Sequence, residues 1–123
     1  MELDFALAAA GRIIFGLFFL IAAGRNFAGL KKRTPAKTNY GFDLPTPLVL
    51  AGFALQLVGG ALLVADIATV WGALALIAFL VLATALFHNP LMFPRAERGL
   101  HLYLFLVNCT LTGGLLMVIG AAG

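Results

Sequence analysis

The chain alternates between long apolar runs and short polar connections. A helix needs about 20 mostly apolar residues to cross a hydrocarbon core of about 30 Å, and four runs meet that length. These predicted spans cover residues 5–24, 47–65, 68–87 and 100–122. The runs are continuous rather than alternating, and in lipid only helices and closed barrels satisfy every backbone group. The pattern therefore predicts an all-α, integral membrane four-helix bundle, with residues 1–123 forming a single transmembrane domain.

The residues between the runs fit this division. Pro45 and Pro47 lie where the second span begins, and proline is tolerated in the first turn of a helix. The connection at 66–68 is so short that the second and third helices should be antiparallel neighbours. Asn89 and Pro90 are predicted to end the third helix, because proline cannot continue one.

The charged residues predict how the bundle is oriented. The connections 25–46 and 88–99 fall on the same side and hold seven of the eight Lys and Arg residues. The opposite side holds three acidic residues and no Lys or Arg: Glu2, Asp4 and Asp66. By the positive-inside rule the two basic loops face the cytoplasm, so both termini face outside. The first loop is either a plain solvated loop or a segment lying along the membrane surface.

The composition supports a lipid environment. Apolar residues make up 63% of the chain and charged residues 11%, whereas soluble domains have about 45–50% and about 25%. Membrane lipid must cover the excess. The net charge of +3 does not indicate nucleic-acid binding, because the basic residues lie beside apolar runs. The acidic start of the chain is unlike the basic start of a signal peptide, so the first run is read as a retained helix.

Among the polar side chains within the predicted spans or at their ends, five are the candidate ligand-binding residues. Strongly polar groups at membrane depth are costly and usually face the protein interior. If the polar faces of the four helices converge, these side chains form one interior polar line. They are Arg12, Gln56, Asn108, His88 and His101.

Each candidate also has a structural interpretation. In the functional interpretation Arg12 binds an anionic or carbonyl headgroup. In the structural interpretation it donates hydrogen bonds to carbonyls at a helix end. For Gln56 and Asn108 the functional interpretation is ligand binding, and the structural interpretation is a hydrogen bond that joins two helices. His88 binds a quinone carbonyl or moves protons, or it caps a helix; His101 is more typical of an interfacial residue.

Other chemistries have no signature in this sequence. There is no phosphate-binding glycine loop, no nucleophile elbow, no metal-binding cluster and no pair of carboxylates within the spans, so no metal site is predicted and no catalytic residue is identified. The chain has one cysteine, Cys109, which cannot form an internal disulfide. A redox role would therefore depend on a bound cofactor or on a partner.

Several ordered motifs resemble the DoxX family of small four-helix membrane proteins. The first is the arginine-and-glycine opening helix at 11–20, followed by Leu-Pro and the segment Leu-Gln-Leu-Val-Gly-Gly-Ala-Leu-Leu at 55–63. The last are Phe87-His88 and Asn108 with Gly-Gly-Leu-Leu at 113–116. Two positions depart from the family pattern, since Gln56 stands where the family usually has glutamate and Val107 where it has lysine.

The resemblance implies a bacterial or archaeal cytoplasmic-membrane protein with a connection to quinone. Some family members are similar to a subunit of thiosulfate:quinone oxidoreductase, and others are linked to oxidative-stress systems. The leading hypothesis is thus a redox subunit that seats a quinone headgroup among its polar side chains. The alternatives are a non-catalytic membrane adaptor for a partner protein and a small-molecule carrier working as an oligomer. A protein partner or a homo-oligomer is expected.

Overall fold

The computed structural model of the protein describes residues 2–88, 94–96 and 98–122. Its helices are α1 (Glu2–Ala28), α2 (Leu30–Arg33), α3 (Thr46–Ala65), α4 (Thr69–Phe87) and α5 (Arg98–Ala122), and its strands are β1 (Ala36–Lys37) and β2 (Asp43–Leu44). Helices α1, α3, α4 and α5 are long and apolar enough to cross a membrane. The predicted all-α membrane four-helix bundle is confirmed. Asn89 and Pro90, predicted to end the third helix, lie outside the described residues.

The four long helices pack in chain order as antiparallel neighbours. Helix α3 packs against both α1 and α4, α5 packs mainly against α4, and α1 and α5 touch over a much smaller area. The bundle therefore has one end where α1 and α4 finish and one end where they begin. We call the first the basic end, because it carries the basic connections, and the second the acidic end, because it carries Glu2, Asp4 and Asp66.

Helix α1 is longer than its predicted span. It has 27 residues and continues to Ala28, and no proline interrupts it. At 1.5 Å per residue it is about 40 Å long, which exceeds the hydrocarbon thickness. Glu2 and Asp4 lie in its first turn and Arg25 lies in its last turn. At these positions their charges interact favourably with the helix dipole.

Glycines allow the central helices to approach closely. A Cβ atom added to Gly16 would lie 2.8 Å from the carbonyl oxygen of Gly60, across the α1–α3 contact. One added to Gly59 would lie 2.7 Å from Cγ of Leu76, across the α3–α4 contact. Because lipid is as apolar as the side chains, such close packing is a main source of stability for membrane helices.

The bundle has a buried apolar core. Its members come from all four long helices: Phe19, Leu63, Ala73, Leu76, Leu80 and Leu115.

The first connection has a defined fold that the sequence did not predict. Strands β1 and β2 form a two-stranded antiparallel hairpin in which Ala36 pairs with Leu44. At its turn, the backbone N–H of Asn39 donates to the carbonyl of Leu86 at 2.7 Å, and its side-chain amide donates to that of Ala85 at 3.1 Å. These carbonyls belong to the last turn of α4, where backbone acceptors lack helical partners. The hairpin is thus fastened to the end of α4.

Candidate functional site

The five predicted site residues lie in four separate contacts. Arg12 is at the acidic end, Gln56 lies between α1 and α3, Asn108 joins α5 to α4, and the two histidines meet at the basic end. Only His88 and His101 contact each other directly. The side chains therefore do not form one continuous polar line.

Arg12 binds the C-terminal end of α3. Its Nη1 donates to the carbonyl oxygens of Leu63 and Val64, the second at 3.3 Å. Its Nε lies 3.7 Å from Oδ1 of Asp66, the residue that follows α3. Since the last carbonyls of a helix carry partial negative charge, the guanidinium is well placed there. Arg12 is thus level with the α3–α4 connection, and about 15 Å of α1 extends beyond it.

Gln56 is paired with a residue that sequence reasoning had assigned to a loop. Its side chain is 4% exposed, and its Oε1 accepts a 2.8 Å hydrogen bond from Nδ2 of Asn26. Asn26 lies in the last turn of α1. The amide pair joins α1 to α3, as expected of polar residues that hold membrane helices together.

Asn108 likewise joins two helices. Its Nδ2 donates to Oγ1 of Thr84 on α4 at 2.9 Å, and its carbonyl oxygen accepts a bond from the hydroxyl of Thr112 one turn further along α5. This contact joins the two helices, and Asn108 lines neither of the two cavities described below.

His88 and His101 form an imidazole pair at the basic end. The two Nδ1 atoms are 3.3 Å apart, so one ring donates and the other accepts. His88 directly follows the last residue of α4 and is only partly exposed. Burial, and to a lesser degree the charge of His101, lowers the pKa of His88 below its ordinary value of 6.5. Neutral imidazole is therefore favoured at His88 near pH 7.

A cavity of about 750 Å³ opens beside this histidine, between α1, α3, α4 and the hairpin. We call it the basic-end cavity. Most of its wall is apolar and is contributed by α3 and α4, including Leu48, Phe53, Phe79, Leu82 and Leu86. Its polar groups come from the ends of the surrounding elements: Asn26, Arg33, Lys37 and His88.

Local structure brings these polar groups to one place. Because α1 continues past residue 24, Asn26 reaches the cavity from its last turn. Arg33 ends α2, and Lys37 lies in β1 opposite Asp43. The hairpin is fixed to α4 through Asn39, which keeps Lys37 on the same side of the bundle as His88.

Two of the five predicted residues line the two cavities of the bundle described in this structure. His88 lines the basic-end cavity and Arg12 lines another at the acidic end. Asn26, Arg33 and Lys37 are the residues that sequence reasoning missed. Among the described residues, no group of three or more His, Cys, Asp or Glu side chains is arranged to hold a metal ion.

Four membrane-length helices with polar contacts inside the bundle define a multi-pass membrane protein. The DoxX family model matches residues 7–89, which is more than half of the chain, and the chain belongs to that family. The earlier resemblance is thereby confirmed. The match includes Arg12, Gln56 and His88 but ends before α5, so the motif around Asn108 lies beyond it. Neither the curated proteins nor the solved structures contain a significant match to the chain.

Proposed function

We propose that this protein is a membrane subunit of a quinone-linked redox system and that its basic-end cavity holds the quinone. The observation that carries the proposal is the shape and chemistry of that cavity, which has long apolar walls and several hydrogen-bond donors at one side. A membrane quinone has the complementary chemistry: an apolar tail and a ring with two carbonyl acceptors.

The donor set suits such a ring. Lys37 and Arg33 are cationic, and the Asn26 amide is oriented by its bond to Gln56. When Nδ1 of His88 accepts the hydrogen bond from Nδ1–H of His101, the Nε2–H of His88 is left to donate to a carbonyl oxygen. The volume of about 750 Å³ also falls within the range of about 300–1,000 Å³ that is typical of small-molecule sites.

The chain's own residues would bind and orient the quinone rather than deliver electrons. A bound quinone supplies two-electron chemistry, but the chain has only one cysteine and no redox-active pair of its own. The electrons would come from a soluble or membrane partner protein. In this proposal the basic end of the bundle faces the cytoplasm across a bacterial or archaeal cytoplasmic membrane, and both termini face outside.

The experiment is mass spectrometry of gently purified protein, measuring quinone per chain. Lys37→Ala should lower the quinone content severalfold, whereas Lys32→Ala should leave it unchanged. Both lysines are exposed in the same basic segment, but only Lys37 lines the cavity. The same comparison applies to the histidines, because His88→Ala and His101→Ala both break the imidazole contact and only His88 lines the cavity.

A membrane adaptor is the second candidate. It is favoured by the exposed basic surface of α2, formed by Lys31, Lys32 and Arg33. Absence of quinone together with a protein that co-purifies in fixed ratio would support the adaptor and contradict the quinone proposal. In that case Lys32→Ala should weaken the association with the protein partner.

A further inference from the structure

A second cavity, of about 430 Å³, lies at the acidic end of the bundle. It is bounded by α1, α5 and the start of α4, and it shares no residue with the basic-end cavity. Phe5, Trp71 and Val118 contribute apolar wall, whereas Arg12 and Asp66 contribute opposite charges. We call it the acidic-end cavity.

Arg12 retains hydrogen-bonding capacity at this cavity. Its Nη1 makes both bonds to the end of α3, and its Nε faces Asp66. Its Nη2 has no hydrogen-bond partner in the described part of the chain. A guanidinium has five N–H donors, two of them on this nitrogen. Since the Arg12 side chain is only 15% exposed, an anion bound to it would be shielded from most water.

Asp66 presents an acceptor beside that donor. Its Oδ1 accepts a 2.6 Å hydrogen bond from Thr69 and faces Arg12. Its Oδ2 has no partner within the described residues, and the side chain is 58% exposed. The cavity wall therefore carries a positive and a negative group side by side, each with an unused hydrogen-bonding atom.

We infer that the acidic-end cavity binds a phospholipid headgroup that carries both a phosphate and a primary ammonium, as in phosphatidylethanolamine. The phosphate bonds to Arg12 and the ammonium to Asp66, both as charge-assisted hydrogen bonds. In this headgroup two carbon atoms separate the charged groups, which suits two adjacent side chains. The acyl chains follow the apolar wall between α1 and α5, where the two helices have little mutual contact.

Other headgroups fit this pair of charges less well. A headgroup that has phosphate but no ammonium leaves Asp66 facing a second negative charge. A choline group is positive but has no N–H to donate to the carboxylate. The cavity should therefore select phosphatidylethanolamine over phosphatidylglycerol and phosphatidylcholine. This inference does not depend on quinone binding at the other end.

Trp71 allows a direct test, because it is the only tryptophan in the chain and it lines the cavity. Protein is reconstituted into vesicles of phosphatidylcholine with brominated acyl chains, which quench tryptophan emission. Unbrominated test lipids are then added at increasing mole fraction, and recovery of emission measures displacement of the quencher. Phosphatidylethanolamine should restore emission at a mole fraction about threefold lower than phosphatidylglycerol or phosphatidylcholine, the size expected of a partly exposed ion pair.

The matched variants are Asp66→Asn and Glu2→Gln. Asparagine tolerates the left-handed backbone of position 66, where φ is 55°, and can still accept the bond from Thr69, so the fold should persist. Asp66→Asn should abolish the preference for phosphatidylethanolamine. Glu2→Gln removes an exposed acid from the same end but not from the cavity wall, and should keep the preference.

Three results would overturn the inference. One is equal displacement by all three lipids in the unmodified protein, and another is an unchanged preference in Asp66→Asn. The third is recovery of emission on addition of soluble phosphoethanolamine alone, which would identify a free headgroup rather than a lipid as the ligand.

Discussion

The side-chain amide of Asn26 donates a 2.8 Å hydrogen bond to Gln56, and this bond links the last turn of α1 to the buried side of α3. Gln56 stands where the resemblance led us to expect a glutamate. Because the side chain of Gln56 is uncharged, it needs no cationic partner, and the neutral amide of Asn26 is sufficient. The same bond orients Asn26 at the wall of the basic-end cavity.

The amide pair should contribute measurably to stability. Asn26→Leu and Gln56→Leu should each lower the free energy of unfolding, because each leaves the other amide without its partner. In a double-mutant cycle the coupling should be on the order of 1 kcal/mol, which is typical of hydrogen bonds between membrane helices. The measurement is thermal unfolding in detergent of the two single variants and the double variant. Strictly additive effects would show that the two amides do not interact.

Close packing at Gly59 should be intolerant of a methyl group. Gly59→Ala would place Cβ 2.7 Å from Leu76 and 3.0 Å from the carbonyl oxygen of Gly72, so the helices must separate. The expected cost is about 1–3 kcal/mol, as for other overpacked sites. Gly113→Ala is the matched control, because apart from its chain neighbours and the nearby backbone of its own helix no atom lies within 4 Å of the added Cβ. Equal melting temperatures for the two variants in detergent would contradict the α3–α4 packing.

Because His88 and His101 are paired, we expect the free energy of unfolding to decrease in mildly acidic solution. The pKa of His88 is lowered in the folded protein, so below its ordinary value of 6.5 the unfolded chain binds the proton more readily. The contribution of His88 to the free energy of unfolding is therefore fully present above pH 6.5, and it is lost as the pH falls from there through the lowered pKa. Protonation of both rings also removes the acceptor from their hydrogen bond.

Melting temperatures measured between about pH 5 and about pH 8 test this dependence. His88→Gln should flatten the profile more than His101→Gln, because burial is the larger cause of the shift and persists without His101. A profile of unchanged steepness in His88→Gln would assign the dependence to another group.

The charge distribution predicts which end of the bundle faces the cytoplasm. In a Cys109→Ala background, single cysteines at Lys32 and Arg95 should be protected from membrane-impermeant thiol reagents in intact cells. A cysteine at Glu2 should react, and all three should react after the membrane is permeabilised. Labelling of the cysteine at position 32 in intact cells would show that the bundle has the opposite orientation.

The sequence predicted the bundle because its strongest signals are local. Each of the four apolar runs is long enough to determine a helix in lipid, and the prolines and short turns separate them. The end of α1 was misplaced because Gly24 and Arg25 resemble the start of a loop. Yet Arg12, Gly16, Phe19, Ala23 and Asn26 follow one helical face, and that periodicity could have extended the helix.

The site was less predictable because its parts meet through tertiary contacts. The hairpin is fastened by Asn39 to backbone carbonyls of α4, and no residue pattern in α4 signals that contact. Arg12 and Gln56 were singled out because they are polar residues within the predicted spans. Their partners, the carbonyls of α3 and the amide of Asn26, depend on the relative heights of the helices.

The most direct test of the quinone proposal is to fill the basic-end cavity and leave its polar groups intact. Leu82 and Val81 are neighbours on α4 and are similarly exposed, at 56% and 55%, but only Leu82 lines the cavity. Quinone per chain is measured by mass spectrometry in purified Leu82→Trp and Val81→Trp. The proposal predicts that Leu82→Trp loses the quinone and that Val81→Trp retains the level of the unmodified protein. Equal quinone in the two variants, or none in the unmodified protein, would contradict it.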